Sequence, residues 1–283
     1  MRIGRYDLST LVDARFGLDG GAMFGIVPRP LWERQAAPDA RNRIPLVSRC
    51  LVAVDRDAGR VILVDDGMGD KWSAKQLDIY AVDRTGLGVD AGLARLGLER
   101  ADVTDVLLTH LHFDHAGGTT RRGADGRLEL SFPRAVHHVQ RRAWQQAHDP
   151  SERDRGSFLE EDFDLLAHSD LLHLVEGEAA LFPDVDLMVS EGHTEAQQLP
   201  RFRGDGAKVV FCGDVIPTHV HLRPSWGMAY DLRPLVALEE RKVLLAEALG
   251  DDGILLFEHD PAMAGCRLRE EDGRPVFREA VEL

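Results

Sequence analysis

The most informative stretch of the chain is His110-Leu111-His112-Phe113-Asp114-His115-Ala116-Gly117-Gly118. It follows an apolar run, Val103 to Leu108, that predicts a buried β-strand. Alternation in an extended segment places His110 and His112 on one face, and the turn after them brings Asp114 and His115 to the same point. Imidazole and carboxylate groups are common ligands of catalytic Zn²⁺ and similar ions. The stretch therefore predicts a metal site at the end of a strand.

Three later apolar runs also end in groups that can bind a metal. Asp184 to Val189 leads to Glu191-Gly192-His193-Thr194, Lys208 to Cys212 leads to Gly213-Asp214, and Gly253 to Glu258 leads to His259-Asp260. One such histidine is more often a packed core residue than a ligand. Four separate strand ends that all deliver ligand groups favour a shared metal centre. A Gly-x-Ser-x-Gly motif is absent from the sequence, which disfavours a serine hydrolase.

The order HxHxDH, GHT, GD and a late His resembles the metallo-β-lactamase superfamily over most of the chain. The resemblance implies two metal positions: His110, His112 and His193 hold one ion, Asp114, His115 and His259 hold the other, and Asp214 bridges them. The expected cofactors are two divalent ions, Zn²⁺ first, although Mn²⁺, Co²⁺ and Fe²⁺ fit the same ligands. Asp114 is also expected to act catalytically, as a proton shuttle for the leaving group. Asp65 and Thr194, or else Asp66 or Asp70, are expected to support the ligands.

The strand pattern and the resemblance predict the same α/β fold, a four-layer αββα sandwich in which two mixed sheets pack face to face with helices outside. The chain of 283 residues can form one core, so we expect a single domain over 1–283. A helical insertion is predicted around 141–173, which is docked on the sandwich, caps the site or forms a dimer contact. Leu235 to Leu249 is the clearest predicted helix.

Secondary motifs narrow the resemblance to the lactonase and methyl-parathion-hydrolase-like branch. They are Leu18 to Pro28, Asp65 to Lys71, and Glu258 to Pro261. The branch implies a dinuclear metal hydrolase that opens lactones or related carboxylic esters, such as acyl-homoserine lactones in quorum quenching, by attack of a metal-bridging hydroxide. Apolar and aromatic residues in segments expected near the site form the predicted substrate pocket: Met23, Phe24, Phe113, Trp226, Met228 and Tyr230. As a set they favour a small neutral or partly apolar ester or lactone.

Two departures from the branch concern the chemistry. Lactonases that act on acyl-homoserine lactones often carry a tyrosine three positions after the bridging aspartate, aimed at the substrate carbonyl. Pro217 occupies that position in this chain. Either no residue contacts the substrate carbonyl in this way, or Tyr230 does. The bridging position is Asp214 rather than the cysteine of many true β-lactamases, which disfavours antibiotic hydrolysis.

Other activities fit the same ligands. Phosphotriester or aryl ester hydrolysis is the nearest alternative, because a bridging hydroxide can also attack phosphorus. A glyoxalase-II-like thioesterase shares the first motif and ranks below phosphotriester or aryl ester hydrolysis as an alternative. An iron-loaded redox site and a non-catalytic metal scaffold are further alternatives.

Composition limits the partners. The net charge of −14 argues against a nucleic-acid surface, which needs a basic stripe. No apolar run approaches the ~20 residues that cross a bilayer, and the first residues lack a signal-peptide pattern, so we expect no membrane partner and a cytoplasmic location. Cys50, Cys212 and Cys266 are too scattered for a disulfide framework. A homodimer fits the lactonase-like branch and the apolar N-terminal segment.

Overall fold

The computed structural model describes residues 1–250 and 252–283. The strands of the first part are β1 (Arg2–Ile3), β2 (Tyr6–Asp19), β3 (Arg43–Asp55), β4 (Arg60–Val64), β5 (Asp105–Leu107), β6 (Thr120–Arg122), β7 (Leu128–Leu130), β8 (Val136–Gln140) and β9 (Leu172–Val175). The strands of the second part are β10 (Ala179–Phe182), β11 (Val185–Ser190), β12 (Gln197–Gly204), β13 (Ala207–Phe211), β14 (Ile254–Leu256), β15 (Gly265–Glu271) and β16 (Arg274–Val281).

The helices lie mainly between strands of the first part. They are α1 (Gly20–Phe24), α2 (Arg29–Trp32), α3 (Ala74–Tyr80), α4 (Val89–Arg95), α5 (Phe113–Ala116), α6 (Arg141–His148), α7 (Glu160–Phe163) and α8 (Pro234–Leu249). Short 3₁₀ turns occupy Arg100–Asp102, Arg155–Ser157, Asp164–His168, Gly213–Val215 and His219–Leu222. Within residues 1–250 and 252–283, no helix has the length and apolar character needed to cross a membrane.

Two mixed sheets form the centre of the described structure. The first has the strand order β1-β2-β3-β4-β5-β8-β9, and the second runs from β10 to β16 in chain order. Strands β4, β5, β8 and β9 pair in parallel, as do β13 and β14, while the other pairs within these two sheets are antiparallel. A separate small hairpin joins β6 and β7.

The apolar core shows how the layers stack. Leu51 and Val64 of the first sheet share one buried cluster with Phe202 and Phe211 of the second, so the sheets pack face to face. Leu93 of α4 and Ala143 of α6 belong to a cluster with residues of β3, β4, β5 and β8. Leu244 and Leu245 of α8 pack with residues of β13, β14 and β15. This arrangement confirms the predicted αββα sandwich.

The sandwich gathers the ends of several strands at one edge. Parallel pairing aligns Val64 of β4 with Leu107 of β5, and Phe211 of β13 with Leu256 of β14. The chain segments that follow these strands therefore start side by side. A backbone hydrogen bond of 2.8 Å from Gln198 N to Thr109 O joins the two sheets at the same place.

The region 141–173 differs in part from the expected helical insertion. Helices α6 and α7 and two 3₁₀ turns occupy it as far as His168, but β9 then begins at Leu172 and pairs in parallel with β8. Leu172 and Leu174 alternate onto the outer core, which explains why an extended strand replaces a helix there. The prediction of helix up to His173 is therefore wrong at its end.

Part of the motif Leu18 to Pro28 is helical. Asp19 Oδ1 accepts a hydrogen bond of 2.9 Å from Ala22 N and caps α1, so Gly20–Phe24 is helical. The preceding 14-residue strand β2 was not predicted as one element, because its polar and apolar residues do not alternate regularly across the bulge between Val12 and Ala14.

Candidate metal centre

The seven predicted ligands converge at the edge where the strands end. They form two groups whose ligand atoms lie within 4.8 Å of one another: His110, His112, His193 and Asp214 in the first, and Asp114, His115 and His259 in the second. All seven side chains are buried. The structure thus brings together the residues that the sequence motifs singled out, in the same division into two groups.

In the first group, three imidazoles face one another. His112 Nδ1 lies 3.0 Å from His110 Nε2 and 3.3 Å from His193 Nε2. The carboxylate of Asp214 completes the group, with Oδ2 3.1 Å from His193 Nε2. Three nitrogens and one oxygen at these separations match the mixed imidazole and carboxylate set that divalent ions take.

In the second group, two imidazoles and a carboxylate meet. His259 Nε2 lies 3.2 Å from His115 Nε2, and Asp114 Oδ2 lies 3.7 Å from His259 Nε2. The other oxygen of Asp214, Oδ1, lies 2.9 Å from His259 Nε2 and 3.5 Å from His115 Nε2. The two oxygens of Asp214 therefore face different groups, which is the geometry of a bridging carboxylate.

The electrostatics of His110, His112 and Asp214 suit metal binding. Burial, together with the neighbouring imidazoles, lowers the pKa of His110 and His112 well below the ordinary histidine value. Burial would raise the pKa of Asp214, but the imidazoles of His259, His115 and His193 outweigh it and hold that pKa well below its usual range. Neutral imidazoles and an ionised carboxylate are the forms that coordinate a cation.

One buried atom needs a partner that the protein does not supply. Asp214 Oδ1 is buried, lies 2.9 Å from His259 Nε2 and 3.5 Å from His115 Nε2, and makes no hydrogen bond among residues 1–250 and 252–283. A buried carboxylate oxygen without a hydrogen bond is costly in a protein interior. Divalent metal ions would therefore satisfy these buried polar groups better than the groups satisfy one another.

A carboxylate outside the two groups orients His193. Asp231 Oδ1 lies 3.2 Å from His193 Nδ1, and Asp231 Oδ2 accepts a hydrogen bond of 2.9 Å from Arg241 Nη2. Burial would lower the pKa of His193, but the carboxylates of Asp214 and Asp231 outweigh it and raise the pKa to about 9. Contact of Nδ1 with Asp231 leaves His193 Nε2 directed at the metal groups.

Two buried carboxylates contact His115 on its side away from the second group. Its Nδ1 lies 3.0 Å from Asp65 Oδ2 and 2.7 Å from Glu258 Oε2. Asp65 Oδ1 also accepts a hydrogen bond of 2.6 Å from Thr109 N, at the start of the motif loop. Burial raises the pKa of Glu258 well above its usual value, and Asp65 adds to that effect. Asp65 thus has the supporting position expected from the sequence, and Glu258 is a further support that the sequence did not indicate.

The other two aspartates considered for that role lie elsewhere. Asp66 accepts hydrogen bonds from Gly118 N at 2.9 Å and from Thr119 Oγ1 at 2.6 Å, so it stabilises the loop after the motif rather than a ligand. Asp70 is exposed. Thr194 Oγ1 is buried without a hydrogen-bond partner among the described residues.

Two glycines let the ligand loops approach closely. Gly213 has φ of 46°, and a Cβ there would lie 2.5 Å from Gln197 Nε2. At Gly192 a Cβ would lie 2.4 Å from the Cα of Ala237 in α8. Each glycine directly precedes a ligand, so a side chain at either position would displace His193 or Asp214.

A cavity of about 200 Å³ opens over both metal groups. It is lined by Leu18, Tyr80, His112, Phe113, Asp114, Gly156, Ser157, His193, Asp214 and Tyr230. The metal groups form its floor, and aromatic and aliphatic side chains form much of its wall. The region of the predicted helical insertion thus supplies part of this wall through Gly156 and Ser157.

Only two of the six predicted pocket residues line this cavity, Phe113 and Tyr230. Met23, Phe24, Trp226 and Met228 instead pack into a core cluster behind the wall. Phe24 stacks on Trp32 and His221, with ring centroids 5.4 and 5.1 Å apart. Helix α1 turns Met23 and Phe24 inward, and Trp226 packs against Phe24 with ring centroids 5.8 Å apart in the same cluster as Met228. The prediction that placed these four residues in the pocket is therefore wrong.

Leu18, Tyr80, Gly156 and Ser157 were missed as pocket residues. Leu18 is the second-to-last residue of β2, Tyr80 ends α3, and Gly156 lies in a turn some distance along the chain from the motif. Tyr80 packs on Phe113 with ring centroids 5.1 Å apart. Leu18 begins the motif Leu18 to Pro28 but is not among the predicted pocket residues. No local pattern in the sequence marks Tyr80, Gly156 or Ser157, because only tertiary packing brings them to the cavity.

We expect Asp231→Asn to weaken metal binding by about 10–100-fold, since loss of the carboxylate leaves His193 less firmly oriented. Equilibrium dialysis against a graded chelator, with metal measured by plasma emission, gives the affinity of the folded variant. Asp105→Asn is the matched control, because Asp105 Oδ1 makes the same contact, at 2.9 Å, with His138, which belongs to neither metal group. Equal losses in both variants would contradict the assigned role of Asp231.

Comparison with known proteins agrees with this geometry. The family model described as the metallo-beta-lactamase superfamily matches residues 44–259, a range that contains all seven candidate ligands. The N-acyl homoserine lactonase AttM of Azorhizobium caulinodans is 34% identical over 109 residues. That alignment covers 38% of this chain and only 37% of the length of AttM.

Two solved structures resemble the whole described chain. The crystal structure of a probable metal-dependent hydrolase from Staphylococcus aureus has a TM-score of 0.88 and 30% identity, and the match covers 99% of this chain and 100% of that one. AidC, a dizinc quorum-quenching lactonase in complex with a product, has a TM-score of 0.77 and 19% identity, over 100% and 97% of the two chains. At that identity AidC supports the fold alone. With the fold, the converging ligands and the matching family model together, this chain belongs to the metallo-β-lactamase superfamily.

Proposed function

We propose that this protein is a metal-dependent hydrolase that opens lactones or related carboxylic esters, acyl-homoserine lactones among them. The observation that carries the proposal is the cavity whose floor consists of metal-binding groups and whose wall contains Phe113, Tyr80, Tyr230 and Leu18. No lysine or arginine is among the described residues that line it. Such a site favours a neutral, partly apolar substrate with a carbonyl group.

The lactonases among the relatives support lactones over the alternatives. AttM proteins are named for hydrolysis of N-acyl homoserine lactones, and they match this chain over 109 or 110 residues. We therefore place lactones before phosphotriesters, aryl esters and thioesters. A role in quorum quenching follows if acyl-homoserine lactones are the natural substrates. The cytoplasmic location and the homodimer stay predictions.

We propose two divalent ions, most simply Zn²⁺, one in each ligand group. Imidazole-rich sets with one carboxylate suit Zn²⁺, although Mn²⁺, Co²⁺ and Fe²⁺ take the same ligands. When bound, such an ion pair supplies Lewis acidity towards a carbonyl oxygen and lowers the pKa of a water molecule from 15.7 to about 7. The chain itself supplies the position, the dry surroundings and the proton transfers.

Asp114 is the proposed proton carrier. It lines the cavity with 6% of its surface exposed, and its Oδ1 lies 3.9 Å from His115 Nε2. One carboxylate oxygen can contribute to the second group while the other receives a proton and passes it to the leaving alkoxide. Asp214 has one oxygen towards each group and is the proposed bridging residue.

Tyr230 is the proposed donor to the substrate carbonyl. Among the described residues that line the cavity, the tyrosines are Tyr230 and Tyr80. Pro217 has no side-chain donor and cannot serve the role of the carbonyl-facing tyrosine. Burial, with a further contribution from Asp114, raises the pKa of the Tyr230 phenol above its ordinary value. The hydroxyl therefore stays protonated at neutral pH and can donate a hydrogen bond to a carbonyl oxygen.

Ring opening of a lactone releases a proton, so addition of an N-acyl homoserine lactone to the metal-loaded protein should acidify a weakly buffered solution. We expect acidification with the wild type and none above background with Asp214→Asn, because that variant loses one bridging oxygen. A pH indicator assay measures the rate. Absence of acidification by a wild type with confirmed metal content, for every lactone offered, would contradict the proposed function.

Tyr230→Phe should lower kcat/KM for a lactone by about 10²-fold, the usual effect of removing one donor to a developing oxyanion. Metal content should not change, since Tyr230 belongs to neither ligand group. Tyr6→Phe is the control: Tyr6 donates a hydrogen bond of 3.0 Å to Pro183 O and does not line the cavity. Unchanged kcat/KM in Tyr230→Phe would remove Tyr230 from the mechanism.

A further inference from the structure

We propose that the turn Arg155–Ser157, called the pocket turn below, limits how much of a lactone substituent the cavity of this enzyme holds. Gly156 is the selecting position within it. The cavity then takes a lactone ring with a short substituent or none, and a long acyl chain gains nothing from its length. This proposal rests on the proposed lactone hydrolysis and adds the substrate class to it.

The pocket turn contributes directly to the wall over the metal groups. Gly156 and Ser157 line the same cavity as His112 and Asp114. The next residue, Phe158, is buried, and its ring packs edge-on against His112 with centroids 4.8 Å apart. The turn therefore stands beside the position where a substrate must lie to reach the metal groups.

Hydrogen bonds fix the start of the pocket turn to a ligand loop. Asp154 is buried and accepts hydrogen bonds from Ser151 Oγ at 2.5 Å and from Gln146 Nε2 at 2.7 Å. Gln146 Oε1 in turn accepts a hydrogen bond of 2.7 Å from Glu195 N, two residues after His193. The turn is thus connected to the backbone that carries His193.

A buried ion pair fixes the segment after the pocket turn. Lys71 Nζ lies 2.9 Å from Asp162 Oδ1, and each side chain is only 4% exposed. Lys71 Nζ also donates to Gly117 O and Thr120 O, in the loop that follows the HxHxDH motif. Separation of the pair would leave two buried charges without partners, so movement of this segment away from the site is costly.

A third contact holds the pocket turn near Tyr230. The guanidinium of Arg153 donates to Ala229 O, the residue before Tyr230. The pocket turn and the proposed carbonyl donor are therefore attached to each other as well as to the metal loops. The wall that they form has a defined shape, which is what selection by size requires.

The cavity is small for an acylated lactone. Its volume of about 200 Å³ lies below the range of roughly 300–1,000 Å³ that is usual for drug-sized ligands. A five-membered lactone ring with its carbonyl oxygen, bound at the metal groups, uses part of that space. The outer carbons of a long acyl chain then lie outside the cavity.

Gly156 is the position where size can change without cost to the fold. Its φ is not in the left-handed region, and a Cβ built there meets no heavy atom within 4 Å. An added Cβ is therefore neither strained nor in collision with the protein. Because Gly156 lines the cavity, that side chain narrows the space available to a substituent on the ring.

The chain-length series uses the metal-loaded wild type alone. We compare kcat/KM for γ-butyrolactone and for N-butanoyl, N-hexanoyl and N-decanoyl homoserine lactone by proton release. The expected result is similar kcat/KM for the three acylated lactones. A steady rise of about fourfold per added methylene, the effect of a buried chain, would overturn the proposal. No turnover of any of these lactones would overturn the proposed function and this inference with it.

Substitution of Gly156 tests the selecting position. Gly156→Leu should lower kcat/KM for the N-acyl lactones by about tenfold or more, and affect γ-butyrolactone least. Gly250→Leu is the control, because Gly250 follows α8, also has φ outside the left-handed region, and has no heavy atom closer than 3.8 Å to an added Cβ. Equal kcat/KM profiles for the two variants would overturn the role of Gly156.

A binding measurement makes the test independent of turnover. Calorimetric titration with the ring-opened product N-butanoyl homoserine should show weaker binding to Gly156→Leu than to the wild type and to Gly250→Leu, at equal metal content and equal Tm. Unchanged binding would contradict the proposal. If Gly156→Leu has a lowered Tm, Gly156→Ala replaces it, with the same expected direction.

Discussion

The position of the Asp214 carboxylate between two sets of imidazoles is the constraint on which the rest of the site depends. One oxygen faces His193 and the other faces His259 and His115, at distances of 2.9 to 3.5 Å. A buried carboxylate is costly unless positive charge or donors surround it. The surrounding imidazoles lower its pKa, and bound cations would stabilise it further. Both ligand groups therefore share one residue, and the geometry of either fixes that of the other.

The fold meets this constraint through the edges of its sheets. The ligands follow different strands, and the parallel pairing of β13 with β14 places Asp214 and His259 next to each other. Carboxylates beyond the ligands then orient the imidazoles: Asp231 contacts His193, and Asp65 and Glu258 contact His115. The same loops carry the contacts that fix the cavity wall. Ligand geometry and cavity shape therefore depend on one set of interactions.

The sequence was sufficient for the sandwich and for the convergence of the seven candidate ligands, because each ligand follows an apolar run that ends in a recognisable motif. It was less informative about the cavity. Met23 and Phe24 are apolar residues in a segment that the resemblance places near the site, but helix α1 turns them into the core. Tyr80 and Gly156 reach the cavity only through packing between distant segments, so no local pattern identified them. The strand Leu172–Val175 was also missed, because short alternation is hard to distinguish from the end of a charged helical region.

The most direct test of this account is anomalous X-ray diffraction from crystals of the protein loaded with zinc, measured at the zinc absorption edge. The account predicts two peaks, one among His110, His112 and His193 and the other among Asp114, His115 and His259, with Asp214 between them. A single peak would contradict the dinuclear centre. A peak on the far side of His115, between Asp65 and Glu258, would contradict the assignment of these two carboxylates as supporting groups.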